Sequence, residues 1–408
     1  MQPEIKWVAN AMPKSADANL PIMSAENVGR ARAFHAGFPQ YSVTPLANLE
    51  GMASYLGLGD LFVKDESYRF GLNAFKVLGG SFAMANYIAE ETGRDISACD
   101  FAYLASEQLQ KDFGQATFFT ATDGNHGRGV AWSAKRLGQK AVVRMPKGTV
   151  QSRFNNIAAE GAEVTIENLN YDDCVRLAAE QAAATEHGVI VQDTAWEGYE
   201  KIPSWIMQGY GTMATEAIEQ LRAAGVARPT HVFVQAGVGS LAAAIAGFLA
   251  NTYVDDPPVF VVVEADAADC LYQGALAADG NPRIAGGDLA TIMAGLACGE
   301  PSAIAWDILR NHADVFLSCP DWVSAKGMRM LSAPMKGDPQ VVSGESGAAG
   351  MGAVAAIMHD GAYADLREQL GLNTDSKVLL FSTEGDTDPV RYRDIVWGGA
   401  YPSLDERT

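Results

Sequence analysis

Short apolar runs alternate with helix-spaced apolar positions along most of this chain. Between residues 113 and 200 the apolar runs fall at 116–122, 141–145, 163–167 and 188–192, and they read as strands. The segments 129–137, 152–160 and 171–186 carry apolar residues at helical spacing, the last of them long and amphipathic. This βαβαβαβ order predicts a parallel sheet with right-handed crossovers. Upstream, 1–40 is irregular apart from a helical piece at 25–36. A turn at 43–46 leads into a helix at 47–56, a strand at 61–66 ends in charge, and 81–90 is helical. Downstream, a helix at 208–224, a strand at 230–235, a tight turn at 236–240, a helix at 241–250 and a very apolar strand at 258–263 continue the pattern. The last strand is 378–381. The fold class is therefore α/β, with mostly parallel sheets flanked by helices.

The chain has 408 residues, too many for one simple core, so two interleaved domains are expected. A hydrophobic content of 48% with 19% charged residues is that of a soluble globular protein. The net charge of −19, from 30 basic and 49 acidic residues, argues against nucleic acid or an anionic membrane as the main partner. The N-terminal residues lack a basic segment followed by an apolar run, and no stretch is apolar enough to span a bilayer, so the expected location is the cytoplasm. Five scattered cysteines without a CxxC pair suggest neither a zinc ribbon nor a disulfide framework, with Cys270 and Cys298 the one pairing to check. Six dispersed histidines with no i, i+4 pair predict no metal site.

Candidate chemistry lies at the junctions. Lys76, in Asn73-Ala-Phe-Lys-Val-Leu-Gly-Gly80, sits between a strand and a helix among apolar neighbours. Desolvation there would favour a neutral, nucleophilic amine. Gly237-Val-Gly239-Ser240, between a strand and a helix, offers free N–H groups and a helix N-terminus to a phosphate. The same turn, read on to Ala242 and with Glu264 closing the next strand, also fits a dinucleotide fingerprint, or a plain packing turn. Thr122-Asp-Gly-Asn-His126 is a second Gly-rich junction. Its N–H groups could hold a carboxylate, Asn125 could donate to a phenolic or carbonyl oxygen, and Asp123 stands where an N-cap is common. Ser382 and Thr383 follow the last strand at the end where α/β sites open, and Asp193 follows 188–192 in the same topological position. Trp196 and Tyr199 could wall a pocket there.

Together these stretches resemble the fold-type II pyridoxal-phosphate enzymes, the tryptophan synthase β-like group. Within that group Asn73 to Gly80, Thr122 to Trp132, Val191 to Tyr199, Gly286 to Pro301, Ser343 to Gly347 and Ser382 to Asp388 are similar to the 2,3-diaminopropionate ammonia-lyases, from about residue 33 to 400. The resemblance implies pyridoxal 5'-phosphate joined to Lys76, its phenolic oxygen on Asn125, its phosphate on Gly237, Val238, Gly239 and Ser240, and its ring nitrogen facing Ser382 or Thr383. It implies that the backbone of Thr122, Asp123, Gly124 and His126 holds the substrate carboxylate, and that Asp193 binds the β-amine. Lys76 and Asp123 would be the bases for the L and D substrates. Most relatives carry Ser where this chain has Asp123. The implied fold has a large cofactor-binding domain, 1–85 and 196–408, and a small one, 86–195, with the active site in the cleft between them. The implied partner is a small amino acid, and the assembly a homodimer. The alternatives are a serine or threonine dehydratase-like lyase and, from a different class, a nicotinamide-dependent dehydrogenase.

Overall fold

The computed structural model describes residues 3–15, 19–122 and 124–403. Among the described residues eleven strands follow one another as β1 (Lys6–Ala9), β2 (Leu46–Asn48), β3 (Asp60–Asp65), β4 (Thr117–Ala121), β5 (Lys140–Met145), β6 (Glu163–Ile166), β7 (Gly188–Ile190), β8 (His231–Gln235), β9 (Val259–Ala265), β10 (Val315–Cys319) and β11 (Lys377–Ser382). They form two sheets. Four strands in the order β6-β5-β4-β7 are all parallel, and their connections are the helices read from the sequence. Seven strands in the order β1-β10-β9-β8-β11-β3-β2 make the larger sheet, parallel in its five central strands and antiparallel at both edges. Helices cover both faces of the central strands, which is why β8 and β9 are continuous apolar runs rather than alternating ones.

Periodicity located most elements, but several helices start earlier than expected. The helix expected at 81–90 is Val77–Glu91, that at 129–137 is Asn125–Arg136, and that at 208–224 is Lys201–Ala223. The two edge strands also escaped: β1 lies in a stretch read as irregular, and β2 overlaps the segment read as a turn and a helix start. Helix Val77–Glu91 packs against both Lys201–Ala223 and Asn125–Arg136, so it joins the two sheets. Its first turn needs glycine: a Cβ on Gly79 would lie 2.6 Å from side-chain atoms of Ile206 and Tyr210. That close contact places Lys76, at the head of the helix, over the gap between the sheets. Among the described residues no helix is long and apolar enough to cross a membrane.

Candidate active site

A narrow cleft of about 540 Å³, counting its open mouth, lies between the two sheets. Lys76, Asn125, Asp193, the turn 236–241, Gly295, Ser346, Thr383 and Glu384 line it. The loop ahead of Lys76 is pinned to the one after β11. Phe75 N donates to Thr383 O at 3.1 Å, Gly385 N donates to Asn73 O at 3.1 Å, and the Asn73 side-chain amide donates to Asp386 at 3.1 Å. Asn73 itself has φ 60°, a left-handed conformation that asparagine tolerates. Arg128 ties the same loop from the other side, donating to Leu72 O at 3.0 Å.

Lys76 does not sit in an apolar pocket, as its sequence neighbours suggested. Its Nζ donates to Asp193 Oδ2 at 2.6 Å, and the pair is largely buried. Burial alone would raise the Asp193 carboxyl. The Lys76 ammonium and His126 outweigh it and hold the group at about 2. Tyr210, from helix Lys201–Ala223, directs its hydroxyl to the same Asp193 oxygen at 3.5 Å, and burial, then Asp193, pushes its own proton affinity up. Sequence reasoning missed Tyr210 because it lies inside a helix with no motif around it.

The turn 236–240 has the geometry of a helix-start anion site. Gly239 has φ +96° and N-caps helix Ser240–Thr252. A Cβ on Gly237 would come within 3.2 Å of Cys298 Sγ and Leu296 Cα, so glycine keeps that space open. Ala243 N bonds back to Gly239 O, and the N–H groups ahead of it belong to the helix start, where no intrahelical acceptor exists. The Ser240 hydroxyl is committed elsewhere, donating to Asp193 O at 2.5 Å, so this residue offers its backbone N–H. The dinucleotide alternative fails at Glu264. That carboxyl is fully buried within β9 and accepts from Leu271 N at 2.9 Å and Tyr272 N at 2.6 Å, which leaves it unable to meet a ribose.

Of the two hydroxyls after β11, Thr383 lines the cleft. Ser382 turns away and donates to Ser343 Oγ at 2.8 Å. Thr383 Oγ1 accepts from Gln235 Nε2 at 2.8 Å, so its own proton remains to be donated, which suits an unprotonated ring nitrogen. Gln235 Oε1 is a buried acceptor at the cleft wall with no partner among the described residues. A phosphate cradle, a hydroxyl donor, the Asn125 amide and an accessible lysine amine are the donor set that pyridoxal 5'-phosphate requires.

At the second junction, Asn125 Nδ2 donates to Glu384 Oε2 at 2.5 Å. Gly124 N donates to Thr122 Oγ1 at 2.9 Å, so the amides that stay open there are those of the following helical turn. His126 is buried, its Nε2 against Val191 O at 2.8 Å, and neither it nor Thr122 or Gly124 lines the cleft. Asp123 lies outside the described residues. Trp196 and Tyr199 stack at 4.2 Å beside a different groove. All five cysteines are free thiols, so Cys270 and Cys298 do not pair in this structure. Gln235, Ser346 and Glu384 were not expected, although the last two fall inside the motifs 343–347 and 382–388.

Residues 38–383 match the family model described as pyridoxal-phosphate dependent enzyme. The chain is similar to diaminopropionate ammonia-lyase of Salmonella typhimurium, 52% identical over 399 residues that cover 97% of this chain and 98% of that one. It superimposes on the crystal structure of diaminopropionate ammonia lyase from Escherichia coli in complex with D-serine with a TM-score of 0.90, at 46% identity and 98% coverage of each chain. The crystal structure of the same Escherichia coli enzyme in complex with an aminoacrylate-PLP azomethine reaction intermediate gives a TM-score of 0.88, at 46% identity and the same coverage.

Proposed function

The chain belongs to the pyridoxal-phosphate dependent enzymes, and from that premise we propose how its residues perform the reaction. It is a lyase that eliminates ammonia from 2,3-diaminopropionate, D or L, consuming water and yielding pyruvate and two ammonia. The observation that carries this reading is the contact between Lys76 and Asp193. A buried carboxylate held ionised already grips a primary ammonium at the mouth of a phosphate cradle, and the substrate's β-ammonium is a group of the same kind.

Bound at Lys76, pyridoxal phosphate supplies the electron sink that makes a substrate Cα proton removable. The amides and helix start of 237–240 hold its phosphate, Asn125 its phenolic oxygen, and Thr383 its ring nitrogen. The open amides of the turn after Gly124 hold the substrate carboxylate. Once Lys76 leaves Asp193, the β-ammonium takes its place there. A protonated nitrogen leaves as ammonia rather than as an amide ion, so Asp193 assists departure by keeping that proton on. The freed Lys76 amine takes the Cα proton of the L form. The D form presents its proton on the opposite face, and Asp123 takes it. The enzyme works as a homodimer in the cytoplasm, on a small amino acid.

The test is incubation of the holoenzyme with each diaminopropionate enantiomer and with serine, reading pyruvate. Both enantiomers should turn over at least about tenfold faster than serine, because only they carry a cationic β-group for Asp193. Faster turnover of serine would favour the dehydratase reading, whose leaving group is neutral.

A further inference from the structure

Glu384 has no role in the reaction as set out above, yet its side chain is held by three hydrogen bonds at the cleft wall. It is 1% exposed. Its Oε1 accepts from Ser346 N at 3.0 Å, and its Oε2 accepts from Asn125 Nδ2 at 2.5 Å and from the Thr387 hydroxyl at 3.4 Å. Its backbone pairs with Ala74, two residues before Lys76, and its carbonyl accepts from Gly344 N at 2.9 Å. The side chain therefore spans the cleft, from the larger sheet to the helix Asn125–Arg136 beside the smaller one.

A second carboxyl lies close by. Glu345 is buried, and its Oε1 has no hydrogen-bond partner among the described residues. Burial, then the Glu384 charge, raises this group to about 7, with Arg153 and Arg391 pulling the other way. Glu384, by contrast, accepts from three donors, Ser346 N, Asn125 Nδ2 and the Thr387 hydroxyl.

An asparagine amide can turn over with little change of shape, exchanging its donor and acceptor ends. A carboxylate only accepts. We propose that Glu384 is a positioning residue that fixes the direction of the Asn125 amide. Its carboxylate takes one Nδ2 proton and leaves the other N–H for the phenolic oxygen of the cofactor. The inference rests on Asn125 being the phenolic contact. It adds that this contact depends on a neighbouring acceptor which does not itself touch the ring.

Glu384→Gln keeps the shape and the acceptor for Ser346 but can face Asn125 with either end. The experiment compares parent, E384Q, N125A and the double variant by two readings: cofactor dissociation constant, and the pH profile of the bound cofactor's visible band. Melting of the cofactor-free proteins is followed alongside. We expect E384Q to weaken cofactor binding about tenfold, the usual cost of losing a residue that orients a direct contact, and to alter the band's pH profile. In the N125A background the same change should have less than about a twofold further effect, because the group through which it acts is gone. Equal losses in both backgrounds, or a lowered melting temperature with unchanged binding and band, would overturn the proposal. If N125A changes neither reading, the phenolic assignment itself fails, and that result holds even if E384Q does not fold.

Discussion

Two lysines close in sequence occupy two very different charge clusters. Lys64, in β3, is fully buried and donates to Thr44 O at 2.7 Å, Glu216 at 2.8 Å and Gln220 at 2.8 Å. Arg69 completes that cluster, bound to Glu66 at 2.8 Å and Glu216 at 2.8 Å. Two cations and two carboxylates thus cancel, and every ammonium proton has an acceptor. Lys76 instead meets Asp193 at the wall of an open cleft, with its side chain 17% exposed. Burial lowers the proton affinity of Lys64 against the pull of Glu66 and Glu216, yet no substrate can reach it. A perturbed buried lysine is therefore not enough for chemistry. The lysine proposed to react is where the charge balance can be exchanged with a ligand.

The largest expected effect breaks the closed cluster. Glu216→Gln leaves Lys64 and Arg69 short of a buried counter-charge and should lower stability by about 3–5 kcal/mol, measured by denaturant unfolding. Turnover per folded molecule should stay within about threefold, since nothing in that cluster touches the cleft. A comparable loss of turnover would merge the two clusters into one functional unit.

A substitution aimed at the reaction should change turnover instead. Asp123→Asn should reduce turnover of D-diaminopropionate about a hundredfold relative to the L form, the scale of losing a proton-transfer group. Equal losses on both enantiomers would refute the assignment of separate bases.

The smallest effect sharpens the contrast. Asp193 is held below the ordinary carboxyl value of 3.8, at about 2, so its contribution to stability is present above about pH 4 and is lost as pH falls towards 2. Asp193→Asn should lower the stability of the cofactor-free protein by about 2 kcal/mol at neutral pH. Parent and variant curves should converge near pH 2. The loss is smaller than for Glu216 because the Lys76 ammonium left behind can still reach water.

Sequence alone exposed much of the smaller sheet, because its strands are short apolar runs bounded by turns, and β4 to β7 fall within two residues of the expected limits. What it hid was the first turn of three of the helices around the site. The segments 77–80, 125–128 and 201–207 carry Gly, Asn, Arg or Lys, which weaken the apolar signal or the intrinsic helix preference. They are helical because tertiary packing overrides propensity, as at Gly79 against Ile206 and Tyr210. Motifs pointed to the residues proposed to touch a cofactor. The residues that hold those contacts in place, Tyr210 and Gln235 among them, come from helix and strand interiors, where a polar side chain looks like any other until its partner is known.

The proposed chemistry requires that Lys76, rather than Lys64 or any other lysine, be the amine that carries the cofactor. Borohydride reduction of the holoenzyme, proteolysis and mass spectrometry test this directly. The pyridoxyl mass is expected on the peptide containing Lys76 and on no other. A label on a different lysine, or no label at all, would contradict it.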